Sequence, residues 1–161
     1  MPSAKQLANR FREVLLNGTW IANTNYKKAL SGTTVKQATT KVGSLNMLLA
    51  LAYHINYYIE GILPVFAGGS LTIKDKYSFD HPKITTQKEW DDLLNNLWQN
   101  AERFANYVEQ LSDTDLDLPF VDEKYGTYRR NIEGVIEHSY YHLGQVSIIK
   151  KMILELEAES N

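Results

Sequence analysis

Glu137-His138-Ser139-Tyr140-Tyr141-His142-Leu143-Gly144-Gln145-Val146 sets two histidines four residues apart in an apolar, aromatic run. Residues at that spacing lie one above the other on a helix, so His138 and His142 can aim two imidazoles at a single ion. A pair is half a metal site, and a third ligand must come from another element. His54, in Ala50-Leu51-Ala52-Tyr53-His54, sits on an apolar helical stripe and supplies it. Taken singly, each histidine reads better as a core residue with its own hydrogen bond, and His-x-x-x-His on a helix also recurs by accident. Taken together, three imidazoles on inward stripes would bury several ring nitrogens that each need a partner, and one shared ion satisfies them all.

Outward from this stretch the pattern stays helical. Thr127 caps a last helix whose stripe runs Ile132, Val135, His138, His142, Val146, Ile149 and Ile153; at roughly 30 residues it would be about 45 Å long. Gly134 and Gly144 cost this helix about 1 kcal/mol each against alanine. Close approach of a neighbouring backbone or ligand explains them; tolerated surface glycines are the alternative.

The helix that carries His54 is expected to start at a Ser44 cap and stop at Ala67-Gly68-Gly69-Ser70, with Met47, Leu51, His54, Tyr58, Ile62 and Val65 on one face and Pro64 disturbing its last turns. A third helix opens on the capping box Thr86-Gln87-Lys88-Glu89 and carries Trp90, Leu94, Leu97, Ala101, Phe104 and Val108. A short first helix runs from a Ser3 cap to a left-handed stop at Asn17-Gly18. Between Thr19 and Lys41 the pattern weakens: Trp20 to Tyr26 is aromatic and amide-rich, Ser31-Gly32 is a turn signal, and Thr33 to Thr40 supports at most short helical turns. Leu71 to Lys83 reads as a long connection with room for an extended piece. Asp113, Asp115 and Asp117 imitate the start of a calcium loop, but Leu118 and Lys124 stand where that loop needs glycine and glutamate, which excludes calcium.

Bulk composition narrows the chemistry. The chain has 161 residues and fits one domain spanning 1–161. It has no cysteine, so disulfides, thiolate metal sites and cysteine nucleophiles are excluded, and any thiol must come with the substrate. Seventeen Lys and Arg against nineteen Asp and Glu leave a net charge of −2 without a basic run, which argues against nucleic acid as a partner. The N-terminus reads as an amphipathic helix with no signal peptide, and the uncharged run from Val42 to Ile59 contains Gly43, Ser44, Asn46, His54 and Asn56, so it reads as a buried helix with no membrane span. A cytoplasmic location is the expectation. Four long helical segments and no convincing strand give an all-α fold, a four-helix bundle whose facing helices carry the histidines.

A first histidine in the second helix, followed in the fourth by His138-x-x-x-His142-x-Gly144-Gln145, resembles the DinB-like superfamily, with His54, His138 and His142 on its three metal-ligand positions. The name is shared with an unrelated DNA polymerase and implies no polymerase activity. The resemblance implies a DinB-like four-helix bundle with long loops between helices one and two, two and three, and three and four. It also implies a homodimer, and a divalent ion, zinc or nickel, with open coordination positions. Some relatives transfer low-molecular-weight thiols such as bacillithiol or mycothiol to electrophiles, others are thiol-dependent isomerases, and many have no known activity. Where numerous relatives carry tryptophan soon after the first histidine, this chain has Tyr57 and Tyr58.

Three neutral imidazoles leave an ion its full charge and at least one open position, the arrangement of catalytic sites. The functional expectation is therefore a metal-dependent enzyme of the thiol S-transferase or hydrolase type acting on a small molecule; the alternatives are a non-catalytic metal-binding or stress-related dimeric bundle and a purely structural helical module. Tyr58 and Gln145, each a turn from a histidine, are placed to orient a ligand or fix a tautomer, or simply to satisfy themselves. Trp20, with Asn23, Asn25 and Tyr26, either lines the pocket mouth or packs.

Overall fold

The computed structural model describes residues 1–160. Ser3 and Gln6 form a capping box that opens α1 (Ala4–Arg12), which buries Leu7, Ala8 and Phe11. The chain then widens into a π-helical turn, Glu13–Asn17, that buries Val14, Leu15 and Leu16. Gly18 ends it in an extended conformation at φ −97°, where the sequence led us to expect a left-handed stop. The wide turn closes on itself through the Gly18 amide and the Glu13 carbonyl, 3.3 Å, and the Asn25 side-chain amide donates to the Gly18 carbonyl at 2.8 Å, so no left-handed residue is needed. Asn25 also caps α2 (Tyr26–Leu30), and a Thr34–Gln37 capping box opens α3 (Val35–Thr39). Both are single turns; α3 falls in the Thr33–Thr40 stretch where short turns were expected, and α2 adds one that the sequence did not mark.

α4 (Leu48–Phe66) is capped three residues later than the expected Ser44, at Met47 and without a side-chain hydrogen bond. The cause is local. Gly43 at φ 52° and a turn from the Leu45 amide to the Val42 carbonyl, 3.0 Å, commit residues 42–45 to a reversal before the helix can start. Its other end is as expected: Gly68 at φ 80° donates to Val65, and Gly69 donates to Pro64 at 2.8 Å, the paired bonds that close a helix through a left-handed glycine. Between α4 and α5 the only regular piece is a 3₁₀ turn, Asp75–Tyr77, and the extended piece expected there is no strand. α5 (Gln87–Gln110) starts on the Thr86–Glu89 capping box, with Trp90 fully buried and its indole N–H donating to the Thr33 carbonyl at 3.0 Å.

α6 (Tyr128–Glu159) starts at Thr127, whose hydroxyl accepts from the Arg130 amide. An isolated bridge between Pro119 and Thr127 is the one β-type pairing among the described residues, so the fold is all-α. None of the described helices is long and apolar enough to cross a membrane. A Cβ at Gly134 or Gly144 would meet nothing within 4 Å, so the close approach expected there is absent and the two glycines are tolerated.

α1 packs on α5, α5 on α4, α4 on α6 and α6 back on α1. Their buried apolar faces merge with those of α2 and α3 into a continuous core in which Phe11 and Phe104 lie 4.4 Å apart. A link between two side-chain carboxamides also lies within it: the Asn100 side-chain amide donates to the Asn56 side-chain carbonyl at 3.0 Å, with both residues buried between α4 and α5. The contact of α4 with α6 sets His54 against the histidine pair.

Candidate metal centre

His54, on the second turn of α4, meets His138 and His142 from the middle of α6. One ring nitrogen from each lies within 4.8 Å of the other two. Nε2 of His138 stands 3.1 Å from Nε2 of His54 and 3.0 Å from Nε2 of His142. His54 and His142 are 5% and 6% exposed, and His138 is half-buried at the edge.

The opposite nitrogens decide what these short contacts are. Nδ1 of His54 faces the Ser78 backbone carbonyl at 3.2 Å, and Nδ1 of His142 faces Oε1 of Gln145 at 2.7 Å. Both partners can only accept, so both Nδ1 atoms carry hydrogen, and in a neutral imidazole Nε2 then carries a lone pair. Two lone pairs therefore converge on Nε2 of His138, which holds at most one proton and can donate to only one of them. At least one lone pair is left facing another nitrogen, a costly arrangement in a buried site unless a cation takes it. Two nitrogens bound tetrahedrally to zinc at its usual bond length lie about 3.3 Å apart, close to the spacings found here.

Charge reinforces the picture. Burial, then the His142 ring, pushes the His54 pKa down to about 4, against a smaller upward pull from the Ser78 carbonyl and Asp75. Burial, then the two neighbouring imidazoles, takes His138 to about 4 as well, and burial lowers His142. The three rings are thus neutral at pH 7, the form in which imidazole binds metal.

The surroundings are aromatic. Phe79 stacks on His54 with ring centres 4.0 Å apart, and Tyr58 presents its ring edgewise to His54 and His138 at 5.1 and 5.2 Å. The Tyr58 hydroxyl donates to Asp75 at 3.2 Å, and burial raises its pKa. Tyr58 therefore walls the site and ties α4 to the 75–79 segment, while Gln145 holds the His142 tautomer directly. Trp20 does not belong to the site: it is 86% exposed, because the 19–23 turn carries it outward. Tyr26 is buried instead, and its hydroxyl donates to the Ser139 carbonyl at 3.1 Å, bracing α6 between the two histidines. His81 stays apart, against the Pro82 carbonyl and the edge of Tyr53. Ser78 and Phe79 escaped sequence reasoning; a backbone carbonyl leaves no trace in residue type, and Phe79 had no periodicity to mark its direction.

A family model described as the DinB superfamily matches residues 22–146, which include all three histidines. The chain belongs to the DinB superfamily. No curated protein and no solved structure matches it. The matched span of this DinB chain runs from the turn before α2 to the middle of α6 and covers the site with both of its Nδ1 partners.

Proposed function

We propose that this chain is a divalent-metal protein whose ligands are His54, His138 and His142, held in a DinB-like four-helix bundle of α1, α4, α5 and α6. The observation that carries the reading is the convergence of Nε2 lone pairs whose tautomers are fixed from behind by Ser78 and Gln145. Zinc or nickel suits three imidazoles, and such an ion with open positions supplies Lewis acidity and lowers the pKa of a bound thiol or water. The protein's own part is to keep the imidazoles neutral and correctly turned, and to shield His54 behind Phe79 and Tyr58. On this reading the chain is an enzyme of the thiol S-transferase or hydrolase type, cytoplasmic and homodimeric, that acts on a small molecule. Because the sequence has no cysteine, a transferred thiol would be a diffusible one.

The test is metal analysis of untagged protein purified without chelator. About one equivalent of zinc or nickel in the wild type, lost in both His54→Ala and His142→Ala, is the expected result. Metal retained at wild-type stoichiometry in either variant overturns the ligand assignment. Chelator-sensitive conjugation of a thiol to a model electrophile, or chelator-sensitive ester hydrolysis, then separates an enzyme from a non-catalytic binder.

A further inference from the structure

We propose that the cleft between the 44–46 turn and α6 binds a small uncharged molecule carrying a carbonyl or similar hydrogen-bond acceptor beside an apolar group. The cleft has a volume of about 270 Å³ and is lined by Ser44, Leu45, Asn46, Gln145, Ile148 and Ile149. No charged side chain stands in its wall, so an ionic occupant would lose its hydration with nothing to replace it. The apolar side is supplied by Leu45 and Ile148, 40% and 60% exposed, over the buried Ile149. The polar side is more specific. Oε1 of Gln145 is engaged by His142, and among the described residues the carboxamide nitrogen of Gln145 has no hydrogen-bond partner, so its two N–H donors are free for an acceptor in the cleft. The volume falls just below the roughly 300 Å³ from which drug-sized pockets begin, which fits a ring with one polar substituent and excludes a helix or an extended peptide.

The cleft meets the metal-centre reading above only at Gln145, which stands behind His142 on the side away from the converging Nε2 atoms, so on that reading a neutral carbonyl compound bound there bears on how His142 is held. That consequence rests on the metal reading. Occupancy of the cleft does not, since none of the three histidines lines it.

Nitrogen–proton correlation spectra of the full chain test the two separately. The probe is benzamide, with benzoate and benzylamine as charged counterparts of similar size, added first to metal-free protein and then to protein with zinc. The expected result is that benzamide shifts the Gln145 side-chain amide and the backbone signals of Ile148 and Ile149 without metal, and that both charged probes bind about tenfold or more weakly. Asn46→Trp, at an exposed turn position that fills the cleft, abolishes those shifts while the rest of the spectrum stays folded. Equal binding of the three probes, shifts that survive Asn46→Trp, or no shifts at these residues overturns the proposal. So does a cleft covered by a second copy of the chain, seen as concentration-dependent signals at Leu45 and Ile148 that benzamide does not alter. Benzamide binding without zinc uptake upholds the cleft and removes only its bearing on a metal centre.

Discussion

His142 and His54 do the same job by different means. His142 is turned by Gln145, three residues further along the same helix, so the helix that presents the ring also presents its partner. His54 is turned by the carbonyl of Ser78, 24 residues away on a segment with one 3₁₀ turn, kept in place by Phe79 stacking and by Tyr58 gripping Asp75. The first arrangement exists as soon as α6 forms. The second exists only once the 75–79 segment has docked, so one side of the site inherits the stability of a helix and the other that of a loop.

Metal affinity should expose that difference most strongly. On the metal reading, Gln145→Leu removes the hydrogen-bond partner of His142 and is expected to weaken divalent-metal binding by about 10–100-fold, with amide exchange at residues 75–80 unchanged. Phe79→Ala should weaken binding less and accelerate exchange across 75–80. If Gln145→Leu loosened that segment as much as Phe79→Ala does, the two halves would be a single cooperative unit and the distinction would fail.

Acid sharpens the same comparison in metal-free protein. The unfolded histidines take up protons near pH 6.5, whereas folded His54 and His138 resist until about pH 4. The stability that this difference contributes is present above pH 6.5 and is lost progressively as the pH falls towards 4. Urea titrations at stepped pH should show the decline, and His54→Gln should flatten it. A flat profile in the wild type would mean that the rings ionise freely in the folded state, which contradicts the burial argument.

The smallest effect concerns the helix itself. Gly144→Ala and Gly134→Ala fill open space and should each stabilise α6 by about 1 kcal/mol in denaturant unfolding. A loss of stability, or of metal binding, at Gly144 would show that the His142–Gln145 turn needs freedom that the packing does not reveal.

Much of this was legible in the residues. Thr86–Glu89 and Thr127 mark the starts of α5 and α6, because capping chemistry is carried by side chains at fixed offsets. The histidine triad and Gln145 were legible for the same reason, since helical spacing converts directly into a shared face. Ser44 misled because a serine can cap only where the backbone is ready to turn helical, and the left-handed Gly43 delays that by a turn. Trp20 misled because large apolar area favours burial without ensuring it, and here the backbone turn overrides the side chain. Ser78 lay beyond reach altogether: every residue type offers the same carbonyl.

The buried asparagine pair between α4 and α5 also bears on assembly. Both helices bury runs of apolar residues, and apolar contact alone carries little information about register. Asn56 and Asn100 carry more, since a slip would break the bond between them, at about 0.5–1.5 kcal/mol, and leave each only its partners on its own helix, Glu60 for Asn56, and Asn96 and Arg103 for Asn100. They act as a checksum on how the helices are stacked, and an α4 held in its proper place is what delivers His54 to the level of His138 and His142.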